Sequence, residues 1–325
     1  MPTPSIINRN SMSGRFTPEL VNTLIDRVKG ASALAQLSQQ TPIPFNGMKE
    51  YTFNMDNEVD LVAENGAKSR GGVSFDPVTI VPLKLEYGAR MSQEFMYAAE
   101  DEQIDFLAKF SEGFARKVAK GIDLMAFHGV NPRSGIASNL IGDNCFDKAV
   151  SQIVTVNSST TATVDAQMET AIGLVQASEE DVTGTAISPA FRSELAKMTY
   201  GDGQKMYPDL AWGSAPGQIN GLPTQVSSNV PAFPKVEDVT VVTTDDSTKT
   251  TTDHVIVGNF RDYFKWGFAK DVPLRVIEYG DPDNTGRDLQ GHNENYVRSE
   301  IYVGWGILVP SAFAMIRKEV VEAKQ

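Results

Sequence analysis

The chain has 325 residues, 41% hydrophobic and 22% charged, an ordinary globular composition that is long enough to bury a sizeable core. Its 29 Lys and Arg are outnumbered by 41 Asp and Glu, and no dense basic run is present, which argues against sequence-specific nucleic-acid binding. A single cysteine, Cys145, excludes an intramolecular disulfide and a thiolate-rich metal site, so a small buried or half-buried thiol is expected there. The first residues, MPTPSIINRN, carry no secretory pattern, and no apolar run approaches the roughly 20 residues of a membrane helix. The expectation is a soluble protein made in a cytoplasm, with no membrane partner.

Residues 1–46, bracketed by Pro2, Pro4, Pro42 and Pro44, read as an arm. Within it Thr17 suits an N-cap, Pro18 the first helical position and Glu19 the positive helix end, while Leu20, Leu24, Ile25 and Val28 share one face. A helix that short needs another surface to dock on. Over 47–91 the pattern becomes period two. Tyr51, Phe53 and Met55 alternate with Thr52, Asn54 and Asp56; Val73 and Phe75 alternate with Ser74 and Asp76; Val78, Ile80, Leu83, Leu85 and Tyr87 continue the alternation. With the turn-rich tip ENGAKSRGG (64–72) between, this predicts a long β-hairpin. A two-stranded ribbon is marginal alone in water, so its apolar face needs a partner surface.

Ile104, Leu107, Phe114, Val118, Ile122 and Met125 follow helical spacing and predict a helix over 92–128, with Asp101 and Glu102 near its start and Gly129 at its end. Gly113 and Gly121 suggest close packing against another backbone. Residues 129–160 read as loop-rich, 164–178 as a helix and 183–188 as a strand. Ser188 and Pro189 then cap and open a helix through Met198. GLPTQVSSNVP (221–231) reads as a strand edged by turns, DDSTKTTTD (245–253) as an exposed loop and HVIVGNF (254–260) as a buried strand. WGFA, PLRVIEY and the stretch 295–318 read as further strands, and no repeat or heptad run is found.

The search for chemistry yields little. His128, His254 and His292 show no HExxH or HxH spacing and are expected at surfaces or helix ends; no GxSxG, P-loop or GxGxxG fingerprint occurs. Asp281, Asp283, Thr285, Gly286 and Asp288 in DPDNTGRD match the start of a calcium loop. His292 stands where the bidentate Glu belongs, so a solvated acidic turn is the better reading. Glu64, Glu94, Glu100, Glu102 and Glu112 read as solvated faces or helix-end charges with no acid–base pairing. Phe260, Tyr263, Phe264, Trp266 and Phe268 read as packing rather than a base-stacking platform.

The order of segments is more informative: a proline-bounded arm, a long hairpin, a long helix, an α/β segment and returning strands. With the tip ENGAKSRGG, the helix end FHGVN, ISPAFRSELAKM (187–198), GLPTQVSSNVP, IVGNFRDYFKWGF (256–268) and NYVRSEIYVGWGILVPSAFAMI (295–316), it resembles the major capsid proteins of tailed bacteriophages over nearly its whole length. The resemblance implies an α+β Hong Kong 97-type capsid fold. Its parts would be an N-terminal arm entering the peripheral domain (1–46), an extended β-hairpin loop (47–91), a peripheral domain with the spine helix (92–160), an axial domain (161–290) and peripheral return strands (291–325). It implies a self-assembling subunit of hexamers and pentamers in an icosahedral shell around double-stranded DNA, with no catalysis, cofactor or metal. Implied partners are further copies, a scaffolding protein, a portal and a decoration protein; the implied location is the virion, assembled in the host cytoplasm. An acidic container wall that does not adhere to DNA is compatible with that role.

Many relatives begin with a scaffolding segment that a protease removes. Here the arm starts almost at Met1, so a separate scaffold or unaided assembly is expected. Glu64, Lys68, Arg70 and Phe75 are the candidate inter-subunit contacts, against a solvated turn as the plain alternative. Some relatives lock their shells with isopeptide bonds between a hairpin lysine and a strand asparagine, with a glutamate as base. By that resemblance Lys68 supplies the amine, but Ser299 falls at the asparagine and Gly306 at the glutamate, with Asn293 and Asn295 nearby and Glu300 near the strand's start. Non-covalent shells are therefore expected. The rival readings are an encapsulin-type cargo compartment, a hydrolase with an unrecognised Asp–His site, and a tail or baseplate protein.

Overall fold

A computed structural model describes residues 32–55, 58–96, 100–157, 160–231, 241–242 and 247–323. The candidate arm helix at 17–28 lies outside them. The chain enters at a short helix α1 (Ala33–Leu37), capped by Ser32, whose hydroxyl accepts from the Ala35 amide. It then forms β1 (Met48–Met55) and β2 (Val73–Ile80), antiparallel with Phe53 opposite Phe75. The alternation places Tyr51, Phe53, Met55, Val73, Phe75 and Pro77 on one face.

The ladder ends earlier than the periodicity suggests. Pro82, which lacks an N–H, follows Val81, and β3 (Leu83–Ser92) leaves the hairpin to pair with β11 (Glu294–Ile307). β11 also pairs with β10 (Phe264–Ile277), giving the sheet order β10-β11-β3. Period two marks a strand but not its partner, and Ile80 decides the break. It is fully buried, and a side chain at Gly304 or Gly306 would collide with it or press on it.

After the short helix α2 (Gln93–Met96), α3 runs from Glu100 to His128. At 29 residues it spans about 43 Å. Its inner face buries Phe114, Ala115, Val118, Ala119, Ile122, Met125 and Ala126. Close packing against another backbone is found at neither glycine: a Cβ at Gly121 would meet only the Pro132 and Leu85 side chains at ordinary contact distance, and Gly113 faces open space. Gly129 ends the helix at φ +67°, tight against Cys145.

The remaining elements are α4 (Phe146–Ala149), β4 (Ile153–Val156), α5 (Val164–Ala177), β5 (Gly184–Ile187), α6 (Pro189–Lys197), β6 (Gln218–Ile219), β7 (Leu222–Val226), β8 (Val241–Val242), β9 (Ser247–Gly258), α7 (Phe260–Tyr263) and β12 (Phe313–Ala323). α6 starts where the Ser-Pro step predicts, with the Ser188 hydroxyl accepting from the Phe191 amide at 3.1 Å. The larger sheet runs β4-β12-β9-β5-β7-β6, with β8 on β9. Residues 245–253, expected as an exposed loop, instead enter β9 from Ser247 and pair with β12. The threonine-rich run is polar enough to read as a loop, yet its β-branched residues suit a strand.

Two cores result. One joins α3 to the strands through Phe127, Phe146, Phe260, Phe264, Trp266, Trp305 and Phe313. Phe146 lies 5.1–5.9 Å from the rings of Phe127, Phe260, Phe264 and Phe313, so the aromatic run 260–268 is packing, as expected. The other packs α5 and α6 on the larger sheet through Ala171, Val175, Phe191, Leu195, Val255, Val257 and Ile316.

Candidate assembly surfaces

The hairpin carries its apolar face outward. Phe53 and Phe75 meet edge to face at 5.1 Å, yet remain 54% and 62% exposed. Tyr51, Met55 and Val73 extend the same uncovered face. Nearer the tip, Val59 and Leu61 are each 99% exposed. Glu64, Lys68 and Arg70 are exposed on the tip, and Asn65 takes a left-handed φ of 66° in its turn. The structure thus places all four candidate contact residues in solvent on one projection, but it brings no two of them together. The base is anchored by the Lys265–Glu50 ion pair at 2.9 Å and by buried Ile80.

A polar network closes the C-terminal end of α3. His128 Nε2 donates to the Asn229 carbonyl at 2.9 Å, and its Nδ1 lies 2.8 Å from Asp147 Oδ2. Arg317 Nε donates to Asp253 Oδ1 at 2.6 Å and reaches Asp147 Oδ1 at 3.4 Å. Asn229 also donates through Nδ2 to Asp123, which accepts from Ser32 Oγ and the Ala33 and Leu34 amides. One helix end is thereby tied to the chain entry, α4, β9 and β12.

Burial and the charge of Asp147 push the Asp253 carboxyl up to about 7. Burial works against the charged forms of His128 and Asp147, but their mutual hydrogen bond and attraction prevail, raising the imidazole and lowering the carboxyl. Burial also pushes Asp123 up, opposed by its four donors. His128, Asp147 and Asp253 offer ligand-type atoms within 4.8 Å of one another. Arg317 already lies against both carboxylates, so the cluster supplies its own counter-charge. The expectation of surface or helix-end histidines holds for exposed His292 and for the position of His128, and is corrected at His254. His128 is at a helix end but sealed from solvent, and His254 is buried in β9. Partners far apart in the chain gave no spacing to reveal this.

The acidic turn is not solvated in the simple sense either. The Arg90 guanidinium reaches Asp281 Oδ1 at 2.8 Å and Glu294 Oε2 at 3.0 Å, and also bonds Asp283, Thr285 and the Arg287 carbonyl. Hydrogen bonding to Arg90 holds the Asp283 carboxyl well below the usual range. The protein's own cation fills the place a calcium ion would take. Glu300 is likewise engaged, by Lys84 at 3.1 Å and Arg298 at 3.0 Å. At Gly306 a Cβ would meet Ile80 at 2.8 Å, so that position has no room for a glutamate. Sequence reasoning also passed over Trp212, whose turn-rich surroundings were its only signal.

A model of the phage capsid family matches residues 16–317. Among solved structures, a chain from Mycobacterium phage Ogopogo superposes with a TM-score of 0.75 at 31% identity, covering 89% of this chain and 92% of that one. A chain from Gordonia phage Cozz gives 0.69 at 21% identity, covering 90% and 87%. The capsid of a native GTA particle gives 0.61 at 15% identity, covering 88% and 89%. A search of curated proteins finds no match.

Proposed function

This chain belongs to the phage capsid family and is a structural capsid subunit of the virion, and we propose that its hairpin joins it to neighbouring copies in a closed icosahedral shell around double-stranded DNA. The observation that carries this reading is the apolar face of β1 and β2, which is uncovered in the subunit. Each ring that passes from half-exposed to buried contributes on the order of 1 kcal/mol, at about 25 cal/mol per Å². Spread over many copies, such weak contacts accumulate into a stable shell while letting a misplaced subunit dissociate. Lys68 and Arg70 on the tip face the acidic surface of the next copy, a contact worth at most about 1 kcal/mol per exposed pair. Hexamers and pentamers, a separate scaffolding protein, a portal and a decoration protein complete the proposal, with assembly in the host cytoplasm.

Electron microscopy of the purified chain, with scaffold supplied, tests it. Closed hollow particles are expected. Deleting residues 64–72 leaves a folded subunit that no longer closes shells. A stable monomer across salt and protein concentration overturns the reading, and particles filled with a protein cargo instead of DNA replace it with the compartment reading.

A further inference from the structure

Two of the chain's three tryptophans, Trp266 and Trp305, are 0% and 2% exposed in the core, whereas Trp212 is 104% exposed. Trp212 sits in the turn Pro208–Gly213 with φ 56° and ψ 29°, a left-handed conformation that bulky side chains rarely adopt. The turn is held rigidly. Leu210 is buried beneath it, the Ser214 amide donates to the Ala211 carbonyl at 3.2 Å, and Arg192 of α6 donates to the Leu210 and Ser214 carbonyls at 3.4 and 3.0 Å. Residues 214–217 then lead to β6, the last strand of the larger sheet, which has no described strand on its far side. A strained backbone and the largest apolar side chain, both kept in water, bring the isolated subunit nothing.

We propose that Trp212 is an anchor that inserts into a second copy of this chain as the shell assembles. The inference rests on the capsid-subunit reading above. Copies of the same chain are the neighbours every shell subunit has. A buried tryptophan ring contributes roughly 200 Å², a large share of the about 800 Å² per partner in a stable interface. Tryptophan is also the residue type most enriched where interface energy concentrates. The Arg192 bonds hold the turn's backbone before contact, so little backbone freedom is lost on docking.

Because the other two rings are buried in the subunit itself, a change in tryptophan accessibility on assembly reports on Trp212. The test compares iodide quenching of the full chain as dissociated subunits and as shells assembled with scaffold and then stripped of it. Strong quenching in the subunit and its loss in the shell is expected. Trp212→Ala keeps the subunit's circular dichroism and raises the protein concentration needed for assembly by about tenfold or more, and Trp212→Phe recovers part of this. Shells in which the ring stays as quenchable as in the subunit overturn the anchor while leaving the capsid reading intact, as does wild-type assembly by Trp212→Ala. Protection in complete virions but not in shells of this chain alone overturns the second copy as partner. Failure of the chain to assemble at all, seen by electron microscopy, overturns both readings.

Discussion

Phe146 and Phe75 are chemically identical and face opposite surroundings. Phe146 is sealed among Phe127, Phe260, Phe264 and Phe313, the last three more than a hundred residues further along the chain. Phe75 meets Phe53 across a local ladder and otherwise faces water. The first arrangement repays the entropy of closing long loops and stabilises the subunit by itself. The second is formed by two adjacent strands whose apolar face no described residue covers, and under the proposed assembly its burial is deferred to contact with another copy. Folding and assembly therefore draw on different residues, and substitutions should separate them.

The largest effect is expected at Phe146. Phe146→Ala removes the ring at the centre of the aromatic core and costs about 3–5 kcal/mol, a large share of the 5–15 kcal/mol of a typical domain. Urea melts should show a much lower midpoint or no soluble subunit. A wild-type midpoint would place the stability elsewhere. Next comes the double change Phe53→Ser with Phe75→Ser. The subunit's melt should move by no more than about 1 kcal/mol, since the rings support only each other there. Assembly should weaken by roughly 3 kcal/mol, about a hundredfold in the concentration at which particles appear in light scattering. A lower melting midpoint with unchanged assembly would reverse the assignment of the two regions.

Legibility in the sequence followed the range of the interactions. Helix α3, the Ser188 cap and the hairpin's alternation are set by residues a few positions apart, and each was readable. The departure of β3 from the hairpin was not, because it depends on Ile80 fitting against Gly304 and Gly306 more than two hundred residues later. The same holds for the pairing of His128 with Asp147, Asp253 and Arg317. Four ordinary residues with no fixed spacing acquire meaning only when strands and helix end converge. DPDNTGRD read as an acidic turn, but the cation inside it, Arg90, comes from another strand. For the proposed assembly surface, the alternation predicted which face is apolar, and the fold was needed to learn that no described residue covers it.

The buried network extends the contrast to pH, since the hairpin face has no comparable buried charges. Asp253 has a folded pKa of about 7, above the ordinary carboxylate value, so its contribution is fully present below about pH 4 and lost as pH rises through 7. His128 is also raised, so its contribution is lost on the alkaline side. Asp147 is lowered and acts oppositely, losing its contribution below its unfolded value. From pH 6 to 9 the first two dominate, and the subunit's melting temperature should fall. His128→Gln keeps a side-chain donor for the Asn229 carbonyl without a titrating ring, and should flatten part of that slope. An unchanged slope in the variant would remove His128 from the account.

The smallest expected effect is none at all, and it concerns whether assembly ends in a covalent bond. Joining a lysine amine to an asparagine amide expels ammonia and needs a base to take the amine's proton, because a lysine with the reference pKa near 10.4 is almost wholly protonated at neutral pH. Lys68 is exposed on the tip and free to approach a neighbour. The receiving strand offers less. Ser299 is buried opposite Tyr87 and carries no amide, and the backbone at Gly306 is packed on Ile80, where a glutamate would displace the residue that anchors the hairpin. Glu300 is nearby, but Lys84 and Arg298 already engage its carboxylate at 3.1 and 3.0 Å. Asn295 is an amide of suitable type, and its side-chain oxygen is buried without a described partner, yet the adjacent Glu294 is paired with Arg90 and Arg287. Under the proposed assembly, contacts by burial, the hairpin face foremost, hold the particle. Mature particles boiled in denaturant and reductant should run as one band near 35.4 kDa. A ladder of multimers that survives boiling would show that the tip does more than dock, and mass spectrometry of the cross-linked peptide would identify the base that this account lacks.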